Sequence, residues 1–167
     1  EKFFPAEKIL ITGNPVRESI AKSVVNRTEA VEFFSLSEQK KTVLVVGGSL
    51  GAKSINEAID KGLDELVKND LQLIWQTGKT YAEKGKQRSS GQPGIRVNEF
   101  ISKMEYAYAA ADMVIARSGA MTVAELCVAK KPVLFVPYPF AAEDHQTVNA
   151  ELLVNAKAAL MVKDSEV

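Results

Sequence analysis

Short, continuous apolar segments that alternate with amphipathic ones are the feature that most constrains this chain. Four strongly apolar, largely β-branched runs are bounded by Gly, Pro or charged residues: Thr42–Val46, Leu71–Trp75, Met113–Ala116 and Pro132–Val136. Strands that are buried on both faces of a parallel sheet have this pattern, because neither of their faces meets water. Weaker candidate strands are Lys8–Thr12, Ile95–Val97 and Ala158–Val162.

Amphipathic segments separate the apolar runs. The predicted helices are Ala52–Lys68, Thr80–Arg88, Lys103–Ala111, Ala120–Ala129 and His145–Asn155. In the first helix the apolar residues recur at steps of four, four and three, which aligns them on one face: Ile55, Ile59, Leu63 and Leu66. Alternating strands and helices predict right-handed βαβ units, and therefore an α/β fold with a Rossmann-like, doubly wound parallel sheet.

The domain limits follow from where the strong strands begin. We expect residues 42–167 to form a nucleotide-sugar-binding sheet domain that is truncated at its C-terminus. Residues 1–41 are predicted to be an interdomain linker with a leading turn and a short helix. Both ends of the chain look cut from a longer protein.

Composition limits the partners. Twenty-one basic residues balance 21 acidic ones, so no overall field would attract nucleic acid or anionic lipid. The single Cys127 excludes an internal disulfide and is compatible with a reducing compartment. No apolar run approaches the length of about 18 residues that a membrane helix needs. We expect a soluble, cytoplasmic chain that binds no nucleic acid and makes no membrane contact.

The first strong strand is followed by a glycine-rich turn at residues 47–52, Gly-Gly-Ser-Leu-Gly-Ala, and then by a helix. Gly47, Gly48 and Gly51 allow a tight turn and close approach of a ligand, and amides at a helix start attract anions. Ligands of open α/β sheets bind at the carboxyl ends of strands, where this turn lies. The turn alone fits a diphosphate cradle and an ordinary tight turn equally well.

Two other phosphate-binding patterns are absent. The dinucleotide fingerprint G-x-G-x-x-G is not present, and the second strand ends in Trp75-Gln76-Thr77-Gly78 without an acidic residue for a ribose. The glycine spacing before Lys53 also fails the P-loop pattern.

A second turn of the same kind follows the strand Met113–Ala116. Ser118 is predicted to be the N-cap of the next helix, so that the amides of Gly119 to Thr122 form a second anion site. Glu125 is predicted to lie off the face that packs on the sheet, where its carboxylate could accept hydrogen bonds from both ribose hydroxyls. The alternative is an ordinary solvated helix glutamate. The predicted sheet-facing residues are Val123, Leu126 and Cys127.

The loop after Pro132–Val136 carries polar residues suited to sugar hydroxyls: Asp144, His145 and Gln146. Asp144 could equally be only an N-cap, and His145 a surface residue. One histidine and one cysteine, with no zinc spacing and no D-x-D pair, indicate neither a metal site nor a cofactor. Backbone dipoles and arginines would have to stabilise the phosphates.

Four motifs occur in a specific order: residues 12–17 (Thr-Gly-Asn-Pro-Val-Arg), residues 47–52, residues 117–122 with Glu125, and residues 144–146 with Asn149. Together they closely resemble those of the MurG family, whose members add N-acetylglucosamine to lipid I to make lipid II. The resemblance implies the GT-B fold, of which this chain would be the C-terminal half. It implies a chain that binds UDP-N-acetylglucosamine but does not complete a transfer alone.

The resemblance also implies roles for individual residues. The diphosphate would contact Arg17, Ser49 and the backbone of Ala120, Met121 and Thr122. The backbone of Ile101 would meet the uracil edge, Glu125 the ribose, and Asp144 with Gln146 the sugar. The chain departs from some members by having Leu50 in place of a polar residue and Thr147 in place of a glutamine.

The resemblance places the catalytic base, the lipid I site and the membrane-contacting patch in a missing N-terminal half. No catalytic residue is therefore expected in this chain, and the full-length protein is expected at the cytoplasmic face of the inner membrane. Two alternatives stay open: a UDP-N-acetylglucosamine 2-epimerase-like GT-B domain, and a non-catalytic α/β interaction domain.

Overall fold

A six-stranded parallel sheet forms the centre of the computed structural model, which describes residues 4–10 and 12–167. Its strands are β1 (Thr42–Val46), β2 (Gln72–Gln76), β3 (Ile95–Asn98), β4 (Met113–Ala116), β5 (Val133–Phe135) and β6 (Leu160–Met161). The spatial order is β3-β2-β1-β4-β5-β6, and all neighbouring strands are parallel. This is the doubly wound order of a Rossmann-like sheet, so the predicted fold class is confirmed.

Seven α-helices are found in the described ranges: α1 (Glu18–Ala21), α2 (Arg27–Phe33), α3 (Lys53–Lys68), α4 (Ala82–Arg88), α5 (Met104–Ala110), α6 (Ala120–Ala129) and α7 (His145–Asn155). The five predicted helices are confirmed: two have the predicted ends, and the ends of the other three differ by at most two residues. The helix predicted from Thr80 is divided, because a 3-10 turn at Lys79–Tyr81 precedes α4. None of the helices in the part that the structure describes is long and apolar enough to cross a membrane.

Side chains of each central strand enter two different cores. Along β1, Leu44 and Val46 pack among residues of α1, α2, α5, α6 and α7, whereas Val43 and Val45 pack against α3 and the turn before α4. Successive strand residues point to opposite faces of a sheet, so both faces need apolar side chains. All five residues of β1 are buried, which explains its unbroken apolar run.

Helix α3 packs on the sheet as its apolar spacing predicts. Ile55, Ile59 and Leu63 are buried, and Leu66 is partly buried against the same core. A buried amide also ties α3 to β2: Trp75 Nε1 donates to Asn56 Oδ1 at 2.9 Å, and Asn56 Nδ2 donates to the Thr77 carbonyl at 2.8 Å. This network fixes the end of β2, close to the turn that follows β1.

The weaker strand predictions were partly wrong. Residues 8–10 and 12 form no strand, and residue 11 lies outside the described residues. Leu10 is 85% exposed, so this apolar segment has no core to enter. Only Leu160–Met161 of the segment Ala158–Val162 is a strand, at the edge of the sheet.

Residues before β1 pack on the main core through α1 and α2, which bury Ile20, Ala30 and Val31. Asp112 strengthens this attachment, because its carboxylate pairs with Arg27 at 3.0 Å and Lys41 at 2.9 Å. It also accepts the Thr42 amide at 2.9 Å. The boundary predicted at residue 41 therefore stays a prediction.

Candidate functional site

The carboxyl ends of the parallel strands meet at one edge of the sheet. Val46 of β1 is in register with Gln76 of β2 and with Ala116 of β4, so the loops after these strands are neighbours. Strand order reverses between β1 and β4, and such a switch point opens a crevice in which ligands bind. A cleft of about 790 Å³ lies there, larger than the groove of about 430 Å³ between α1, α5 and the end of α6.

The cleft brings together residues from five parts of the chain. Its walls are the turn after β1, the start of α3, the segment from Arg117 to the first turn of α6, the loop from β5 into the start of α7, and Asp164. Among the predicted site residues, seven line it: Gly47, Gly48, Ser49, Gly51, Gly119, Thr122 and Gln146. The rest of the predicted set does not: Arg17, Ile101, Ser118, Ala120, Met121, Glu125 and Asp144.

Two positions in the turn after β1 require glycine for different structural reasons. Gly51 has φ +80°, and a Cβ there would lie 2.0 Å from the carbonyl oxygen of Thr77. Gly78, on the facing loop, would likewise meet the Leu50 carbonyl at 2.2 Å. Gly48 has φ +88° but open space around it. Gly51 is therefore explained by packing, whereas Gly48 presents its backbone to the cleft.

Helix α6 has the predicted bounds, Ala120–Ala129, but not the predicted cap. Its N-cap is Gly119, which makes no side-chain capping bond, so the prediction that Ser118 caps the helix was wrong. The reason is tertiary, because Ser118 is buried and its hydroxyl donates to the Gln146 carbonyl at 2.8 Å. The first amides of α6 still have no intrahelical acceptor and form the positive end of the helix dipole.

Glu125 was predicted to lie off the sheet-facing side of α6, with a solvated helix glutamate as the alternative, and the solvated alternative is wrong because the exposed fraction of Glu125 is 6%. The prediction that Cys127 faces the sheet is also wrong, because Cys127 is exposed. The carboxylate accepts two hydrogen bonds from Arg17, Nε to Oε1 at 2.9 Å and Nη2 to Oε2 at 3.1 Å. Tyr108 donates a third to Oε2 at 3.1 Å. A fork-shaped guanidinium is a partner that lets a carboxylate be buried.

Charge and burial both shift pKa values in this cluster. The hydrogen bond to Glu125 raises the pKa of the Arg17 guanidinium above its ordinary value, against the opposing effect of burial. Burial raises the pKa of the Tyr108 hydroxyl, and the Glu125 charge raises it further. Tyr108 therefore stays a hydrogen-bond donor and Arg17 a cation over the whole physiological range.

Residues 12–17 lie along the outside of α6. Asn14 Nδ2 contacts the Ala120 carbonyl at 3.4 Å, and Arg17 reaches Glu125 five residues further on. The two predicted ligands Arg17 and Glu125 are thus brought together, although 108 positions separate them in sequence. In this structure Arg17 and Glu125 are hydrogen-bonded to each other, and neither lines the cleft.

The other predicted ligands make contacts within the protein. The Ile101 amide donates to Gln76 Oε1 at 2.9 Å. Gln146 Oε1 accepts the Tyr138 amide at 3.0 Å, which holds the loop after β5 on α7. Asp144 has φ +50° and is the residue before α7, and its carboxylate accepts the Thr147 hydroxyl at 2.7 Å.

Arg117 is a cleft residue to which the sequence reasoning gave no role. Nη1 donates to the carbonyls of Val136 and Pro137 at 2.9 and 3.0 Å, and Nη2 donates to the Ser54 hydroxyl at 3.0 Å. Its charge is paired with Asp164. The side chain therefore joins the loop after β5, the start of α3 and the C-terminal segment. Its position directly after a buried strand was the signal that could have revealed it.

Comparisons with known proteins identify the family of the chain. Residues 42–167 match the model of the glycosyltransferase family 28 C-terminal domain. The chain is 51% identical, over 99% of its length, to a UDP-N-acetylglucosamine--N-acetylmuramyl-(pentapeptide) pyrophosphoryl-undecaprenol N-acetylglucosamine transferase of Parabacteroides distasonis, of which it covers 46%. It therefore spans about half the length of such relatives.

Solved structures share the fold. The crystal structure of MurG from Acinetobacter baumannii aligns with a TM-score of 0.74 and 34% identity, over 98% of this chain and 45% of that one. A UDP-N-acetylglucosamine 2-epimerase aligns with a TM-score of 0.58 at 14% identity, over 98% of this chain and 41% of that one, which bears on the fold alone. The match over residues 42–167 shows that the chain belongs to glycosyltransferase family 28 and carries its C-terminal domain.

Proposed function

We propose that this chain is the donor-binding part of an N-acetylglucosaminyltransferase that uses UDP-N-acetylglucosamine and lipid I to make lipid II. The observation that carries the proposal is the convergence of two amide clusters on one cleft: the turn after β1, with Gly48 open to the cleft, and the first turn of α6, with Gly119 and Thr122. Both sites suit an anion, and together they suit a pyrophosphate. The names of the relatives supply the substrate class.

Donor binding would exchange the partners of Arg17 and Glu125. The hydroxyls of a ribose beside α6 would take over the acceptor positions on Glu125 that Arg17 now fills. Arg17 would then turn along α6 toward the diphosphate. The distance that the guanidinium would travel is short, since the five helical steps from Ala120 to Glu125 span about 7.5 Å. In this way the protein would keep a buried carboxylate neutralised before the nucleotide arrives.

The sugar would lie toward the loop between β5 and α7. Gln146 lines the cleft there beside Tyr138 and Phe140, and Asp144 stands at the start of α7. The two positive-φ residues Glu143 and Asp144 hold a backbone conformation that non-glycine residues rarely adopt. Such turns are often retained where a side chain must point in one direction.

The chemistry assigned to this chain is stabilisation of a leaving group. In an inverting displacement a hydroxyl of the acceptor attacks the anomeric carbon and UDP departs with increasing negative charge on its diphosphate. Amides and a guanidinium that bind this charge more strongly than the ground state lower the barrier. Removing one such donor typically costs on the order of 3 kcal/mol of barrier. The base that accepts the hydroxyl proton and the acceptor site would belong to the rest of the protein.

Calorimetric titration of the chain with UDP and with 2′-deoxy-UDP tests the proposal. Glu125→Gln keeps the size of the side chain but removes its charge, so we expect at least a tenfold loss of affinity for UDP. The loss for 2′-deoxy-UDP should be clearly smaller, because one hydroxyl contact is already gone. Glu151→Gln, on the exposed face of α7, is the control and should bind both nucleotides as the unmodified chain does.

Two outcomes would contradict the proposal at different levels. Equal losses for both nucleotides would remove the ribose assignment of Glu125. No heat with UDP, and no effect of UDP on thermal unfolding, would count against a nucleotide site of any kind and would favour a non-catalytic interaction domain. With UDP-N-acetylglucosamine and lipid I together, the chain alone should form no product.

A further inference from the structure

Gln76, the last residue of β2, has no role in the functions considered so far, yet its side chain joins two loops of the site. Its exposed fraction is 3%. Nε2 donates to the Gly48 carbonyl at 3.0 Å, and Oε1 accepts the Ile101 amide at 2.9 Å. The partners determine which way the side-chain amide of Gln76 is turned, because the Gly48 carbonyl needs a donor and the Ile101 N–H needs an acceptor.

The first of these bonds determines where an amide of the β1 turn points. The Gly48 carbonyl faces Gln76 and also accepts the Gly51 amide at 3.1 Å. The Gly48 carbonyl and the Ser49 N–H belong to one planar trans peptide unit, so they point in opposite directions. Ser49 lines the cleft, so its N–H, turned away from Gln76, is available to a ligand there.

The second bond fixes the loop after β3 in the same way. The Ile101 N–H points to Gln76, so the Phe100 carbonyl of the same peptide unit points away from it. One buried amide side chain therefore sets the orientation of a peptide unit in each loop. Movement of either loop would break its hydrogen bond to Gln76, and the bond to Ile101 is fully buried, which makes the two orientations interdependent.

We propose that Gln76 is a positioning residue: it aims the Ser49 amide into the pyrophosphate cleft and couples that cradle to the loop carrying Ile101. The inference rests on the proposed nucleotide site and adds a residue that touches no ligand itself. It predicts that one side chain controls binding of the phosphates and of the base through separate bonds.

The chain offers a matched control on the same strand. Gln72, the first residue of β2, is 2% exposed and also bridges backbone groups, since Oε1 accepts the Ser37 amide at 2.6 Å and Nε2 donates to the Ser37 carbonyl at 2.8 Å. It lies at the opposite end of β2 from the cleft. Gln72→Glu therefore imposes the same chemical change in an equally buried place without touching the site.

The experiment measures affinity for UDP and for uridine, together with thermal unfolding, in Gln76→Glu, Gln76→Met and Gln72→Glu. Gln76→Glu retains an acceptor for Ile101 but places an oxygen against the Gly48 carbonyl, so UDP affinity should fall about tenfold while uridine affinity changes less than threefold. Gln76→Met loses the bonds to Gly48 and to Ile101 and should weaken the binding of both UDP and uridine. Gln72→Glu should lose stability but bind both ligands normally.

Amide hydrogen exchange of the unmodified chain provides a second measurement if the Gln76 variants do not fold. The Ile101 amide should exchange slowly with and without UDP, and the Ser49 amide should become protected only when UDP is added. Normal UDP affinity in both Gln76 variants, or a Ser49 amide that UDP does not protect, would overturn the inference. Failure of the unmodified chain and of Gln72→Glu to bind UDP would instead reject the proposed function.

Discussion

The two strand-to-helix turns that face the cleft occupy equivalent places but are held by different means. The turn after β1 keeps its shape through its own backbone, with positive φ at Gly48 and Gly51 and close contact of Gly51 with the β2 loop. The turn after β4 has an ordinary backbone, with φ −61° and ψ 146° at Gly119. It is held from outside by α7, through the bonds of Ser118 with Gln146 and Asn149.

This difference shows that an anion-binding helix start can be built in two ways. A turn that depends on glycines takes its backbone conformation from its own few residues, and a single bond from Gln76 of β2 then orients its Gly48–Ser49 peptide unit. A turn that depends on a neighbouring helix should change its shape when that helix moves. A movement of α7 should therefore alter the phosphate site through the hydrogen bonds of Ser118. The following experiments test this contrast.

The largest effect is expected where the β1 turn packs most closely. Gly51→Ala would place a methyl group 2.0 Å from the Thr77 carbonyl in a backbone region that is already unfavourable for alanine. We expect the free energy of unfolding, measured in urea, to fall by at least about 3 kcal/mol, because strain of about 1–2 kcal/mol is added to a backbone clash.

Gly48→Ala is the matched variant within the same turn. It has the same unfavourable φ but open space, so it should cost only about 1–2 kcal/mol while weakening UDP binding. Equal losses of stability at residues 48 and 51 would show that backbone conformation, and not close packing, decides both positions.

A smaller effect is expected in the β4 turn. Ser118→Ala removes the bond from a buried hydroxyl to the Gln146 carbonyl, which should cost about 1–2 kcal/mol of stability. UDP affinity should fall severalfold as the turn loosens. Ser49→Ala, an exposed serine of the β1 turn, is the control and should change stability by less than about 0.5 kcal/mol. If both serine variants lose stability equally, the two turns are not held in different ways.

The smallest effect concerns the far end of the two strands that lead into the turns. Burial tends to raise the pKa of the Asp112 carboxyl, but Lys41, the Thr42 amide and Arg27 together lower it below its ordinary value. A carboxyl whose pKa is lowered by folding stabilises the protein above its unfolded pKa of about 3.9, and that contribution is lost as pH falls below it.

Asp112→Asn should therefore reduce stability by on the order of 1 kcal/mol at pH 7 and by less at pH 3. Urea unfolding between pH 7 and pH 3 measures this, with Asp70→Asn as an exposed control. UDP affinity at pH 7 should stay unchanged, because Asp112 lies at the opposite end of β4 from Gly119. A change in affinity would mean that the turns are sensitive to the whole length of their strands.

Local sequence patterns predicted most of the fold. The runs that became β1 and β4 have the same limits in the structure, and the apolar spacing of α3 gives its buried face. These features depend on neighbours a few residues apart, which is the range that hydrophobic periodicity covers. Residues 8–10 and 12 had the local pattern of a strand but form none in the structure, and periodicity carries no information on whether a pairing strand is available.

The candidate site was predicted in outline but not in its contacts. The glycine turn and the Ser-Gly turn were expected at one rim, since parallel strands end at the same edge. The cap of α6, the burial of Glu125 and the role of Gln76 were not predicted, because each depends on a side chain from a distant part of the chain.

The sequence by itself determined the class of sheet, the order of its elements and the two turns with free amides, because strand and helix periods and glycine conformations are local properties. Only the tertiary structure decided that β1 and β4 are neighbours, that Arg17 pairs with Glu125, and that Gln76 joins two loops. These are contacts between residues far apart in sequence, and their geometry is fixed only when the two cores pack on the sheet.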